Sequence, residues 1–175
     1  PKGKSPHRVV LSHPFFWSSR TGLRFLVTLG NYEYKELNNN TLGRELISAV
    51  HRAVAEKVQE PETWFTKVAD FEQPVQYPTE EFHKNNPFFL LKFIRDKCVH
   101  MHDRAFDPAV RQALEKSPVF LLEFPHLVVY CWEALLKELE VIKAHMQYAP
   151  LREFFDRPFE PDSVRSAEER SLEWL

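Results

Sequence analysis

Asn86-Pro87-Phe88-Phe89-Leu90-Leu91-Lys92-Phe93-Ile94-Arg95-Asp96-Lys97-Cys98-Val99-His100 is the stretch of this 175-residue chain whose reading decides the fold. An asparagine side chain can cap a helix, and a proline directly after it sits where its missing N–H costs nothing. Phe88, Leu90, Leu91, Ile94 and Cys98 then recur with the spacing of an apolar helix face. The stretch predicts a buried helix carrying a charged edge.

The same grammar continues outward. Downstream, Asp107-Pro108 repeats the start signal ahead of Val110 and Leu114. Pro125 is expected to open the longest helix, through Val128, Tyr130, Cys131, Leu135, Leu139 and Ile142, and a last short helix is expected after Pro150. Upstream, Thr41 opens a helix whose apolar face is Leu42, Leu46, Ile47, Val50, Ala53 and Val54. Ser12 is expected to cap a turn containing Pro14, followed by a helix through Leu23, Phe25, Leu26 and Leu29. Asn38-Asn39-Asn40 reads as a loop, and the segment 58–82, with Pro61, Pro74 and Pro78, is less regular. No Asn-Gly or Asp-Gly hairpin signal occurs between apolar runs. The expectation is one compact all-α domain over 10–155, without internal repeats, between a basic flexible lead-in (1–9) and a charged tail (156–175).

Composition narrows the chemistry. The four glycines, Gly3, Gly22, Gly30 and Gly43, fall far below the count expected at a typical ~7% usage. None is spaced to cradle a phosphate, which excludes a dinucleotide fingerprint, a P-loop and a kinase glycine loop. Without that loop, Asp70-Phe71-Glu72 and His102-Asp103-Arg104 are only superficial echoes of kinase motifs. His100 and His102 lack a second pair at ligand spacing, so no metal is expected, and no cofactor. A net charge of −2 gives no global field for nucleic acid or membrane. The two cysteines, Cys98 and Cys131, suit buried thiols in a reducing compartment. No apolar run approaches ~18 residues and no signal peptide is visible, so a cytoplasmic or cytosol-facing location is expected. The chain begins with Pro1 and is read as a piece of something longer.

One window departs from this neutral balance. From Phe82 to Arg104, Lys84, Lys92, Arg95, Lys97 and Arg104 face only Asp96 and Asp103, a local excess of three positive charges. A charged helix face is ordinarily just solvated. Here the residue types also suit phosphodiester cleavage: a histidine moves a proton near neutral pH, and an arginine neutralises phosphate oxygens. RNA brings its own nucleophile, the 2′-hydroxyl. On a helix, Lys92, Asp96, His100 and Asp103 share one face, which places Asp96 to orient His100. Arg95 and His100 lie ~140° apart. They meet at one phosphate only if the helix ends or distorts between them, or if two chains contribute.

Four segments, spread in order from about His13 to Phe155, carry a resemblance. They are His13-Pro14-Phe15-Phe16-Trp17; Trp64 within Glu62-Thr63-Trp64-Phe65-Thr66-Lys67; Leu90-Leu91-Lys92-Phe93-Ile94-Arg95 followed by His100; and Phe124-Pro125-His126-Leu127 followed by Val128-Val129-Tyr130. Together they resemble the KEN domain, the kinase-extension nuclease of the RNase L and Ire-type sensor family within the HEPN superfamily, and most closely its RNase L version. The resemblance implies an all-helical, metal-independent endoribonuclease (a hydrolase-type, RNA-binding domain) that leaves 2′,3′-cyclic phosphate ends on single-stranded or loop RNA. It implies activation as a homodimer driven by an upstream kinase-like domain outside this chain. By matching positions it implies His100 as general acid/base, Arg95 as phosphate ligand with Asp96 beside it, and Lys97, Lys92, Phe82 and His83 along the RNA path. Trp64 would support the dimer or the site.

The departures fall at the same site. Asp96 stands where the family has asparagine, Phe89 where it has an acid, and Phe82 where it has a tyrosine hydroxyl, for which His83 is a partial substitute. Two readings therefore stand side by side: an active endoribonuclease, and a weakened or inactive KEN module acting in dimerisation or RNA binding.

Overall fold

A computed structural model describes residues 12–36, 41–57, 87–100, 108, 112 and 119–156. These form an all-helical domain, with no strand among the described residues. The helices are α1 (Ser19–Glu36), α2 (Thr41–Lys57), α3 (Pro87–His100), α4 (Val119–Glu123), α5 (Leu127–Lys137), α6 (Leu139–Ala144) and α7 (Ala149–Asp156). Single 3-10 turns, Pro14–Phe16 and Met146–Tyr148, precede α1 and α7.

α1 is the central element. It runs along α3 and also touches α2, α4, α5 and α7, while α2 lies along α5. Phe25, Leu26 and Leu29 give α1 a fully buried stripe. Leu46, Val50 and Val54 do the same for α2, and Leu90, Leu91, Phe93 and Ile94 for α3. Each such side chain contributes about 1.5–3 kcal/mol through burial alone. Among the described residues, no helix is long and apolar enough to cross a membrane.

Local starts follow residue chemistry, with some differences from expectation. α3 opens at Pro87 and α2 at Thr41, as their start signals require. The first turn is capped by His13, not Ser12: the His13 Nδ1 accepts from the Phe15 N–H at 3.1 Å. Ser12 is buried, and its carbonyl accepts from Trp17 Nε1 at 3.0 Å. α1 takes its own cap from Ser18, whose Oγ accepts from the Thr21 N–H at 3.1 Å. The single long helix expected from Pro125 is two helices. Pro125 lies in the turn before α5, and the chain breaks at Glu138 (φ −98°, ψ 15°) before α6. That break lets both Leu135 and Leu139 stay buried while α6 turns toward α7. α4 had no sequence signal of its own. Pro108 and Gln112 are helical; the rest of the segment opened by Asp107-Pro108 lies outside the described residues.

The aromatics act as the clamp around this frame. Trp17, Phe25 and Phe154 form a triangle with centroids 5.2–5.5 Å apart, and Arg24 lies 5.1 Å over Phe154. His13 packs edge-on to Trp132 at 4.9 Å, and Trp132 stacks on Phe155 at 5.7 Å. Edge-to-face and offset rings of this kind add directional preference to plain burial. His13 and Trp17 thus tie the start of the domain to α5 and α7, whereas Phe15 is 82% exposed.

Candidate functional site

The basic stretch lies on the second half of α3, where that helix meets the C-terminal half of α1. Gly30 sets the separation. A Cβ built there would come within 2.8 Å of the Arg95 Cβ and 2.9 Å of the Leu91 carbonyl oxygen. Neither atom is a flexible tip that could swing aside, so this close approach needs glycine.

That approach brings the residue after Gly30 onto the arginine. Asn31 Oδ1 accepts from Arg95 Nε at 2.8 Å. On the other side, Arg95 Nη1 donates to Asp96 Oδ1 at 2.5 Å. Arg95 and Asp96 keep 24% and 15% of their side-chain surface in contact with solvent, so the pair is partly accessible. Nη2 carries no partner among the described residues. The end of α1 is held independently: the Tyr32 hydroxyl donates to the Gln147 carbonyl at 2.6 Å, and its ring lies 5.8 Å from Tyr148.

His100 is the last residue of α3 and is exposed, as is Val99. α3 is unbroken from Arg95 to His100, so the two side chains leave the helix ~140° apart. Of the ways the sequence left open for them to meet, an end or distortion between them is removed. Lys92 is half-buried beside this region. Lys97 differs from expectation: it is fully buried, with Nζ 5.2 Å from the Phe93 ring centroid. An ammonium in that setting is stabilised from within the protein and presents nothing to a ligand outside. Its neighbour Cys98 is also enclosed, and burial pushes its thiol up to about 12. Such a thiol is inert near neutral pH.

Trp64, Phe82 and His83 lie outside the described residues, as do His102 and Asp103; Phe89 is within α3, but its side chain is not described. Among the described residues, no group of three or more His, Cys, Asp or Glu is placed to hold a metal ion. Asn31 is the site residue that sequence reasoning missed. The available signal was Gly30, an isolated glycine within a helical apolar pattern, which marks close packing.

Comparison with known proteins gives a distant but consistent relationship. The chain is 25% identical over 130 residues to the human (Homo sapiens) protein named 2-5A-dependent ribonuclease, covering 72% of this chain and 17% of that protein. It is 26% identical over 162 residues to the mouse (Mus musculus) protein of the same name, covering 90% of this chain and 22% of that protein. The chain therefore spans about a fifth of the length of these curated relatives. No protein-family model matches it, and no solved structure does at a significant level. An all-helical domain distantly similar to a ribonuclease is consistent with the HEPN-like nuclease superfamily.

Proposed function

We propose that this chain is a KEN-type, metal-independent endoribonuclease domain that cuts single-stranded or loop RNA. The observation that carries the reading is the second half of α3, where a partly accessible guanidinium, with one nitrogen unclaimed among the described residues, and an exposed histidine lie five residues apart in a chain similar to ribonucleases. Arg95 binds the non-bridging phosphate oxygens and offsets the charge that builds on them. The RNA 2′-hydroxyl forms the new P–O bond and the P–O5′ bond breaks, leaving a 2′,3′-cyclic phosphate and a 5′-hydroxyl. His100 acts as the general acid/base for the proton that moves. Flexible, unpaired RNA is the fitting substrate because its bases and 2′-hydroxyls are accessible.

The ~140° divergence on an unbroken helix favours a site shared between two chains, with Arg95 of one and His100 of the other at one phosphate. Pairing would be driven by an upstream kinase-like domain in the longer protein. A second reading, a weakened or inactive module that binds RNA or self-associates, is favoured by the Asp96 carboxylate on Arg95.

A fluorogenic single-stranded RNA, with chelator present and protein titrated upward, separates the two. The first reading expects cleavage whose specific activity rises with protein concentration, and a loss of about 10²–10⁴-fold in His100→Ala. Absence of cleavage at every concentration, with self-association retained, selects the second. A requirement for divalent metal overturns the mechanism, and flat specific activity overturns the shared site.

A further inference from the structure

A planar guanidinium offers two forks to an oxyanion: one edge formed by Nε and Nη2, the other by Nη1 and Nη2. In this protein Asn31 takes Nε and Asp96 takes Nη1. Nη2 belongs to both forks, and neither fork is complete. The two occupants are not equivalent. Asn31 is neutral and comes from a different helix, fixed by the Gly30 contact below it and the Tyr32–Gln147 bond beside it. Asp96 is charged, adjacent in sequence and partly solvated. An incoming anion has no charge to gain by displacing the first, because an amide oxygen is a neutral acceptor. It can compete with the second, because the pair keeps part of its surface in solvent and a phosphate brings the guanidinium a charge of the same sign as the carboxylate.

We propose that Asn31 is a positioning residue for Arg95: it closes the Nε edge of the guanidinium and directs an RNA phosphate to the Nη1–Nη2 edge guarded by Asp96. This rests on the reading of Arg95 as a phosphate ligand. Arginine carries ~2 kcal/mol of rotamer entropy, and a fixed acceptor at Nε removes part of that freedom before RNA arrives. Nothing in the α3 motif itself supplies that acceptor.

The test uses the full 175-residue chain and a 2′-O-methyl oligoribonucleotide, which binds but cannot be cut. Three readouts apply: solvent exchange of the Arg95 Nε–H by 15N NMR, oligonucleotide affinity at fixed salt, and melting temperature. Asn31→Leu is expected to speed Nε–H exchange at least about tenfold and to weaken binding about fivefold, a fraction of a charge-assisted hydrogen bond, because the lost bond orients Arg95 and does not itself touch the RNA. Asn31→Asp keeps the acceptor and is expected to retain slow exchange, which separates positioning from loss of fold. In an Arg95→Ala background, Asn31→Leu is expected to leave affinity unchanged. Unchanged Nε–H exchange in Asn31→Leu overturns the proposal. So does an equal loss of affinity in both backgrounds, which would mark a structural role. Equal affinity of wild type and Arg95→Ala overturns the phosphate reading itself, and is recognisable because the wild-type Arg95 Nε–H still exchanges slowly and Asn31→Leu still speeds it.

Discussion

Arg95 and Asp96 are adjacent, so their charges were legible together, but their partners were not. Spacing on one face marked Asp96 for His100; the structure adds a bond from Arg95 to Asp96 Oδ1 that spacing did not mark. That pairing makes the carboxylate a competitor for the phosphate. Replacing it by the neutral isostere, Asp96→Asn, is expected to raise affinity for a non-cleavable oligoribonucleotide about fivefold, the scale of ~1 kcal/mol for a partly exposed ion pair. The gain should shrink as salt is raised. Equal or weaker binding across a salt titration would remove Asp96 as the guard. Lys97 makes the complementary point. Its sequence neighbours mark a basic edge, yet it falls on the inner side of α3, over Phe93. A net charge counted along a window does not say which charges reach the surface.

At the scale of the element, helix starts were readable because they are local chemistry. Proline at the first position of α3 and threonine at that of α2 act within one turn. Helix ends and breaks were less readable. The break at Glu138 needs no proline or glycine; it follows from how Leu135 and Leu139 are both buried between α5, α6 and their neighbours. The α1–α3 crossing is the element contact on which the site depends. Gly30→Ala would gain about 1 kcal/mol of intrinsic helix propensity but force Arg95 Cβ and the Leu91 carbonyl away from a 2.8–2.9 Å approach. Overpacking costs about 1–3 kcal/mol; with two contacts under 3.0 Å the upper part of that range, about 2–3 kcal/mol, applies, and a net loss of about 1–2 kcal/mol is expected. In a domain of this size that lowers Tm by about 2–8 °C. Arg95 should lose its Nε–H protection in the same variant. A Gly30→Ala protein that melts at or above the wild type would show that the helices separate freely.

The whole molecule responds to pH through groups that the site does not use. Burial lowers His51, on α2, from 6.5 to about 4. Between those values the unfolded chain binds a proton that the folded chain refuses, so stability falls as pH falls from about 6.5 to 4. The ring is only partly enclosed, and solvent screening reduces the effect to about 2 kcal/mol. Urea midpoints of wild type and His51→Gln, compared at about pH 7 and about pH 4.5, are expected to converge in acid. Parallel curves would assign the acid loss to carboxylates alone. Periodicity and start signals were enough for the all-helical class, because both act within a few residues. A charge count along the chain marked the window that holds Arg95 and His100. Distance along the chain hid the rest: Asn31 and Arg95 stand 64 positions apart, and nothing in the sequence between them marks their pairing. Only packing decided it, because Gly30 lets α1 approach α3 closely enough for an amide on one helix to take hold of a guanidinium on the other.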